Sequence, residues 1–240
     1  MNTQTENMRI SLLTRLLDLI SPRTCIVCGA RLSPTEDIVC QSCLLHLPRT
    51  GFANSPKDNP MARLFWGLMP VEQAAAMIYH QPRSESARII YNMKYAGRAD
   101  AAIAMGRIMA CEFAEKGFFD GIDVMVPVPL TESRKRKRGY NQSELIARGI
   151  SEVTGIPVDT KAMERTAFSA SQTSLTRWER QDNVKDSFSL NGRHIPAANR
   201  HVLIVDDVVT SGATTMACGS CLTSIEGIRL SVITLAFTKS

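Results

Sequence analysis

The stretch that decides the fold runs from Val202 to Thr215 and reads VLIVDDVVTSGATT. Four apolar residues typical of a buried strand are followed at once by two acids, Asp206 and Asp207, and then by a short polar turn that opens a helical segment. A strand, turn and helix in this order are typical of a doubly wound, mostly parallel α/β sheet, whose ligands lie beyond the carboxyl ends of the strands. The stretch therefore predicts both the fold class and the place of its binding site.

The turn in this stretch is suited to phosphate. Small side chains let backbone N–H groups close around an anion, hydroxyls add donors, and the N-terminus of the following helix adds a favourable dipole. Acids beside a phosphate would repel it, so we expect the acid pair to face the vicinal hydroxyls of a ribose and a Mg²⁺ ion. An ordinary N-cap turn would explain a Ser or Thr but not the paired acids. The candidate ligand-binding residues are Asp206, Asp207, Val208, Val209, Thr210, Ser211, Gly212, Ala213 and Thr214, with the two acids as the catalytic candidates.

Strands and helices alternate along the chain on either side of this motif. Apolar runs of strand length are separated by segments with helical spacing, which favours βαβ units rather than an all-helical or all-β fold. The predicted strands lie near 74–79, 123–129, 156–158, 202–205 and 229–237, and the predicted helices cover 84–94, 99–116, 143–153 and 214–225.

A dense basic run, RKRKR, extends from Arg134 to Arg138, just beyond the predicted strand 123–129. Taken alone, such a run fits a solvated or nucleic-acid-binding face. Its position at the end of a strand favours a second function, because cations there would neutralise a diphosphate. We therefore expect Arg136 and Arg138 at a diphosphate, while Lys94 could reach phosphate from another side or remain a surface cation.

Residues 164–188 are polar, rich in Ser and Thr, and long for a connection between strands. Functional excursions of this length are often lids that close over a site and exclude water, and a plain surface loop is the alternative. Arg180 is the lid residue that we expect to approach the diphosphate.

Two cysteine pairs near the N-terminus have the spacing of a metal knuckle. Each pair has the form C-x2-C, and four thiolates so placed suit a closed, tetrahedral Zn²⁺ site that supplies folding energy to a segment too small to build a core. Redox chemistry by either pair is the alternative. Outside this segment, Cys111, Cys218 and Cys221 are expected to pack in the core. The predicted metal ligands are Cys25, Cys28, Cys40 and Cys43.

Composition sets the broad class. The 240 residues are 44% hydrophobic, enough for a folded core, and the formal net charge of +5 suits phosphate-bearing ligands. No apolar run approaches the roughly 18 residues of a membrane span, and no signal peptide is evident, so we expect a cytoplasmic protein without stable membrane insertion. The predicted organisation is an amphipathic helix at 1–22, a zinc ribbon at 23–47, a linker at 48–70 and an α/β domain at 71–240.

Several of these motifs together resemble one family. The segments PVPL at 127–130, RKRKRGYNQSELIA at 134–147 and MKYAGR at 93–98 join the cysteine pairs and VLIVDDVVTSGAT in matching the ComF/GntX family of competence-associated phosphoribosyltransferase-like proteins. Ser211 stands where that family more usually has Thr. Further matching positions are Arg165, Gln172, Leu175, Arg180, Asn183 and Phe188.

The resemblance implies a type I phosphoribosyltransferase-like fold with a flexible loop at 164–188, preceded by a small four-cysteine zinc ribbon. It implies that the acid pair contacts the ribose hydroxyls of phosphoribosyl pyrophosphate, that the turn wraps the 5′-phosphate, and that Mg²⁺ accompanies this ligand. It places the protein in a context of DNA uptake and competence.

Two classes of function remain open at this stage. One is an enzyme that transfers the phosphoribosyl group to an acceptor and releases pyrophosphate. The other is a non-catalytic adaptor that senses phosphoribosyl pyrophosphate or binds single-stranded DNA beside the helicase or motor proteins of the uptake machinery.

Overall fold

The computed structural model describes residues 22–165, 188–194 and 196–238. The chain divides into two compact units, Met1–Leu47 and Pro48–Ser240. All but the last residue of the predicted helix 1–22 lies outside the described residues, as does most of the predicted excursion 164–188, including Arg180.

The described part of the first unit is small and built around its cysteines. The chain turns back at Gly29, whose N–H bonds to the carbonyl of Cys25, and the two arms meet at a bridge between Thr24 and Arg31. One short helix, α1 (Gln41–His46), follows. The apolar side chains buried here, among them Ile26, Leu32 and Ile38, form only a small core, to which a bound metal would add folding energy.

A parallel sheet forms the centre of the second unit. Its described strands are β1 (Val71–His80), β2 (Val124–Pro127), β5 (His201–Val209) and β6 (Arg229–Thr238), hydrogen-bonded in the order β1-β6-β5-β2. All three pairings are parallel, and β5 and β6 are buried along nearly their whole length. The prediction of an α/β fold with a parallel sheet is therefore confirmed.

The remaining elements of this unit connect or cover the sheet. Two short strands, β3 (Met163–Arg165) and β4 (Phe188–Leu190), form an antiparallel pair that the sequence did not predict. The bounds are α2 (Pro60–Arg63), α3 (Glu85–Tyr95), α4 (Ala99–Ala114), α5 (Glu132–Arg138), α6 (Gln142–Thr154), β3 (Met163–Arg165), β4 (Phe188–Leu190) and α7 (Ala213–Leu222).

The strand order reverses direction between β2 and β5. After β2 and α6 the chain returns to the sheet at Val158, which bridges Met125 on the outer side of β2, whereas after β5 it moves the other way to β6. Such a reversal opens a crevice at the carboxyl ends of the two strands. The predicted strand 156–158 is reduced to this single bridge, but it is enough to locate the crevice.

Helices α4 and α6 cross at two glycines. A Cβ on Gly106 would lie 2.3 Å from the carbonyl oxygen of Ile146, and one on Gly149 would lie 2.1 Å from that of Ile103. Any side chain at either position would push the two backbones apart. The start of α6 is thereby fixed against α4.

The segment 48–70, predicted as a linker, is a packed part of the second unit. Phe52, Met61 and Phe65 are buried, and the side chain of Asn59 caps α2 by accepting the N–H groups of Met61 and Ala62. The Pro, Asn and Gly residues that suggested a linker serve instead as helix caps and turns, so the linker assignment is corrected.

The basic run is a helix rather than a loop. Thr131 caps the start of α5, and Gly139 ends it in the left-handed conformation with φ of 81°. None of the seven residues of α5 is buried. The dense charge of the run did not indicate that it forms a helix with a cap at each end.

Candidate functional site

The acid pair belongs to strand β5 instead of following it. Asp206 pairs in register with Thr234 of β6, and only 7% of its surface is exposed, while Asp207 is less buried. Both acids therefore lie at the carboxyl end of β5, on the crevice between β2 and β5.

Polar groups from two helices surround the carboxylate of Asp206. The hydroxyl of Ser143, on the first turn of α6, donates to Oδ1 at 3.2 Å, and that of Thr215, on α7, donates to Oδ2 at 3.4 Å. The N–H of Asp207 also donates to Oδ1, at 2.8 Å. Burial, followed by the charge of Asp207, raises the pKa of Asp206 to about 7 despite these donors. Asp206 is thus poised to change its protonation state near neutral pH.

Asp207 has a cationic partner. Lys94, on the last turn of α3, places its Nζ 2.9 Å from Oδ2 of Asp207, and both side chains are largely buried. The sequence had suggested Lys94 as a phosphate contact, and in the structure its observed partner is this acid. This ion pair therefore balances the charge of one of the two neighbouring carboxylates.

The predicted phosphate turn is a small concave pocket. Gly212 adopts φ of 77°, a conformation that favours glycine, and α7 begins directly after it. A Cβ on Gly212 would approach Phe65 Cε1 at 3.3 Å and Met216 Cε at 3.4 Å, so the position is also tightly packed. The pocket is lined by Asp206, Val208, Val209, Thr210, Ser211, Gly212, Ala213, Thr214 and Thr215.

The two arginines predicted at a diphosphate have different surroundings. Arg138 donates to Oε1 of Gln142 at 2.8 Å and stacks over the ring of Tyr95, with 5.5 Å between Cζ and the ring centroid. Arg136 is exposed on helix α5. Neither lines the cleft of about 430 Å³ beyond β2, which α5 borders through Glu132 and Lys135.

The four N-terminal cysteines converge as the spacing predicted. Their Sγ atoms all lie within 4.8 Å of one another, and those of Cys28 and Cys40 are 3.8 Å apart. A tetrahedron with Zn–S bonds of about 2.3 Å would separate its sulfur atoms by about 3.8 Å. The cluster therefore has the dimensions of a four-thiolate metal site.

Backbone amides support one thiolate of this cluster. Cys25 Sγ accepts the N–H groups of Val27 and Cys40 at 3.4 and 3.3 Å. Burial opposes ionisation of Cys25, but the amide donors outweigh it and lower its pKa to about 7. Burial and the neighbouring thiols instead raise the pKa of Cys43. A bound cation would be needed to keep all four thiols deprotonated.

The other cysteines differ from one another. Cys218 is fully buried and contacts Sδ of Met163 at 3.1 Å, as expected for core packing, and Cys221 is partly buried. Cys111 is exposed on α4, so its predicted place in the core was wrong. The apolar spacing of α4 points the neighbouring methionines inward and leaves Cys111 on the outer face.

Relatives of known name share most of the chain. No protein-family model matches it. The DNA utilization protein YhgH of Escherichia coli (strain K12) is 30% identical over 193 residues, which cover 79% of each chain. The chain belongs to the ComF/GntX family. This ComF/GntX chain is also 35% identical to competence protein F of Haemophilus influenzae over 92 residues, or 38% of this chain and 40% of that one. Competence protein ComFC of Bacillus subtilis (strain 168) is 22% identical over 230 residues, 94% and 89% of the two chains.

Two solved structures have a partial likeness to this ComF/GntX chain. The allosteric regulatory enzyme of purine biosynthesis overlaps 56% of this chain and 25% of its own at 20% identity, with a TM-score of 0.38. The purine phosphoribosyltransferase of Pyrococcus horikoshii overlaps 62% and 87% at 13% identity, with a TM-score of 0.35.

Sequence reasoning missed two side chains of the ComF/GntX site. Ser143 and Thr215 both hold Asp206, yet neither was singled out. Thr215 ends the deciding stretch, and Ser143 lies in the NQSELIA segment at the start of a predicted helix. The sequence shows where both residues stand, but not that both contact Asp206.

Within the described ranges, no helix combines the length and apolar character needed to cross a membrane.

Proposed function

We propose that this protein binds phosphoribosyl pyrophosphate with Mg²⁺ at the carboxyl ends of β2 and β5 and transfers the phosphoribosyl group to an acceptor. The observation that carries the proposal is the buried acid pair set directly against a phosphate-sized turn at the strand-order reversal. A ribose 5-phosphate carries a group for each part of this site: a vicinal diol for the acid pair and a phosphate dianion for the turn.

The turn would hold the 5′-phosphate. Backbone N–H groups between Thr210 and Thr214 and the N-terminus of α7 favour an anion without any cationic side chain. The acid pair would accept hydrogen bonds from the ribose hydroxyls. Because Ser143 and Thr215 already hold Asp206, its carboxylate would meet the ribose in a fixed orientation.

Oxygen ligands of this kind also suit Mg²⁺. Asp207 is the more accessible acid of the pair, and its carboxylate could approach the ion directly or through water. When bound, the ion would neutralise charge on the departing diphosphate. In the transfer itself, the bond from ribose C1 to the diphosphate oxygen breaks, the diphosphate leaves with that electron pair, and the acceptor's lone pair forms the new bond at C1.

Calorimetry with phosphoribosyl pyrophosphate and Mg²⁺ tests the binding step. We expect saturable binding that is lost in Asp206→Asn and Asp207→Asn. Asp123→Asn is the matched control, because Asp123 lies at the opposite end of the sheet, beside Arg200. Unchanged affinity in both site variants would refute the assignment. A screen for pyrophosphate release over nucleobases, amines and single-stranded DNA then separates transfer from binding alone.

The four-cysteine cluster holds Zn²⁺ in this proposal, as a structural ion without an open coordination position. Its support is the sulfur spacing and the amide donors at Cys25. Metal analysis of the purified protein should find about one Zn²⁺ per chain, and loss of that metal in Cys28→Ser is the expected result.

A second candidate function, single-stranded DNA binding, is favoured by an exposed aromatic pair beside the basic helix. Tyr91 and Tyr95 lie one turn apart on α3, 61% and 59% exposed, with ring centroids 5.3 Å apart. Arg138 of α5 stacks on Tyr95. Rings for bases beside cations for phosphates are the usual means of binding single strands. Such binding would suit an adaptor near a helicase or motor of DNA uptake.

Fluorescence anisotropy with a labelled oligo-dT of about 20 nucleotides tests this second candidate. Tyr91→Ala/Tyr95→Ala should weaken binding by about tenfold or more, given the usual strength of base stacking. Trp66→Ala/Leu68→Ala removes exposed apolar groups elsewhere on the same unit and should have no effect. Equal loss in both double variants, or equal affinity for duplex DNA, would count against a stacking surface.

A further inference from the structure

The last turn of helix α3 is held by side chains of the segment 138–143, which spans the end of α5 and the start of α6. The carbonyl oxygen of Met93 accepts two hydrogen bonds, one from the hydroxyl of Tyr140 at 2.8 Å and one from Nε2 of Gln142 at 3.3 Å. The last carbonyls of a helix lack donors within that helix and are usually satisfied by side chains or water. The two donors therefore fasten the end of α3 by its backbone.

Gln142 is itself fixed on both sides of its amide. The residue is fully buried, and its Oε1 accepts from Arg138 at 2.8 Å while its Nε2 donates to Met93. The guanidinium of Arg138 also stacks on the ring of Tyr95. The segment 138–143 thus contacts residues 93 and 95, one on each side of Lys94.

Lys94 stands between these two contacted residues and faces the acid pair. Its Nζ lies 2.9 Å from Oδ2 of Asp207, and 18% of its side chain is exposed. A lysine side chain is long and flexible, so holding it in one geometry costs conformational entropy. With the backbone of α3 fixed at Met93, only the side chain of Lys94 remains to be ordered. That side chain can still bend when a ligand binds.

The same segment reaches the other acid through its last residue. Ser143 donates directly to Asp206, whereas the contact with the second acid passes through Lys94. The segment is anchored by Asn141, whose Nδ2 donates to the carbonyl of Val128 at 3.0 Å and whose Oδ1 accepts the N–H of Ser143 at 3.1 Å. One short piece of chain therefore connects the end of β2 with both acids.

We propose that Tyr140 is a positioning residue, which holds the last turn of α3 so that Lys94 meets Asp207 and keeps the acid pair in its binding geometry. The inference rests on the proposed function, because the orientation of Asp207 matters for binding only if the acid pair accepts the ribose hydroxyls. Tyr140 acts through Lys94 and needs no contact of its own with the ligand. A carboxylate that is already oriented loses less freedom when the ribose binds.

Amine labelling tests the position of Lys94 without any ligand. Tyr140→Phe removes only the hydroxyl that donates to Met93. The full chain is treated briefly with acetic anhydride, and the acetylation of each lysine is followed by mass spectrometry. Lys94 reacts when its amine leaves Asp207, so it should be acetylated about fivefold faster in Tyr140→Phe than in the wild type, as for loss of one hydrogen bond.

Two controls accompany this measurement. Lys137, exposed on α5, gives an internal reference for the reagent in every sample. Tyr79→Phe removes the same hydroxyl from a ring that packs against Phe52 and Phe237, and it should leave the acetylation of Lys94 within about twofold of wild type. Thermal unfolding of each variant checks that it is folded.

A double-mutant cycle tests the path through Lys94. Affinity for ribose 5-phosphate is measured by calorimetry with Mg²⁺, and Tyr140→Phe should weaken it by about fivefold. Tyr140→Phe/Lys94→Gln should bind within about twofold as well as Lys94→Gln alone, since both changes break one path. Tyr140→Phe combined with Ser143→Ala should instead multiply the two separate losses, because Ser143 holds the other acid directly.

The outcomes separate this inference from the proposed function. Unchanged acetylation of Lys94 in Tyr140→Phe would overturn the inference, as would losses that multiply in Tyr140→Phe/Lys94→Gln. Faster acetylation of Lys94 in a protein that binds no ribose 5-phosphate would uphold the positioning of Lys94 by Tyr140 and overturn the proposed function.

Discussion

Lys94 Nζ lies 2.9 Å from Oδ2 of Asp207 and joins the end of helix α3 to the end of strand β5. The contact has two effects. It balances one of two adjacent carboxylates, and the lysine charge also acts to lower the pKa of Asp206. The state of the acid pair therefore depends on a residue that is distant in the sequence.

Lys94→Gln should destabilise the protein by about 2 kcal/mol at pH 8, because it leaves Asp207 charged and largely buried without its partner. Chemical denaturation measures the change. In a Lys94→Gln background, Asp207→Asn should restore part of the loss. Arg63→Gln is the control, since its pair with Asp58 is 59% exposed on both sides and solvent screening should leave the stability almost unchanged. Similar losses in both single variants would contradict a special role for the Lys94 pair.

Asp206→Asn should stabilise the ligand-free protein at pH 8 while abolishing donor binding. The folded pKa of about 7 lies above the ordinary value of 3.8, so the folded protein binds the extra proton between these values. Wild-type stability therefore falls relative to the variant as pH rises from about 4 to 7, and the difference is constant above 7. Its upper bound is about 4 kcal/mol.

Denaturation of both proteins at pH 4, 6 and 8 checks this sign. The carboxamide of the variant can still accept from Ser143, and its NH₂ group can donate to Thr215, so the substitution should not leave an unpaired group. A stability difference between the two proteins that stays the same from pH 4 to pH 8 would show that Asp206 is ionised throughout this range and would contradict the raised pKa.

Gly212→Ala should lose affinity for ribose 5-phosphate by at least about tenfold and cost about 1–2 kcal/mol of stability. The new methyl group would force both a left-handed backbone and close contact with Phe65 and Met216. Gly139→Ala is a matched control, because Gly139 has a similar φ of 81° but no atom within 4 Å of its Cβ position. It should lose about 1 kcal/mol of stability and no affinity. Equal affinity losses would indicate a global effect.

Cys28→Ser should abolish metal binding and unfold the first unit, whereas Cys111→Ser should do neither. Cys28 lies within the four-sulfur cluster, and Cys111 is exposed on α4. Metal content and circular dichroism before and after chelation measure the two effects. A chelated protein with unchanged spectrum and thermal unfolding would contradict a structural metal.

The sequence predicted the central strands, most long helices and the cysteine cluster, because each depends on local spacing. Apolar runs such as 202–205 and pairs such as Cys25 and Cys28 need no knowledge of distant residues. The predicted strand nevertheless stopped at Val205, since two acids are unusual inside a buried strand. In the structure, β5 continues through both acids to Val209.

What could not be predicted depends on contacts between distant segments. Nothing local to Ser143 shows that its hydroxyl meets Asp206, 63 residues away. The basic run was assigned by charge, yet the direction of each side chain depends on how the helix α5 is placed against α3 and β2. The segment 48–70 has a linker's composition, but its buried Phe52 packs against Tyr79 and Phe237, which only the folded sheet brings together.

The crossing of α4 and α6 at Gly106 and Gly149 has a mechanical consequence for the site. Backbone meets backbone there, so the two helices should move as one rigid block. Ser143 at the head of α6 shares this rigidity, so its backbone keeps its place beside Asp206 unless that block shifts as a whole. Lys94 is carried by α3, outside the crossing. The Ser143 side of the acid pair should therefore stay in place when a ligand binds. We expect the adjustment to come from Lys94 on α3.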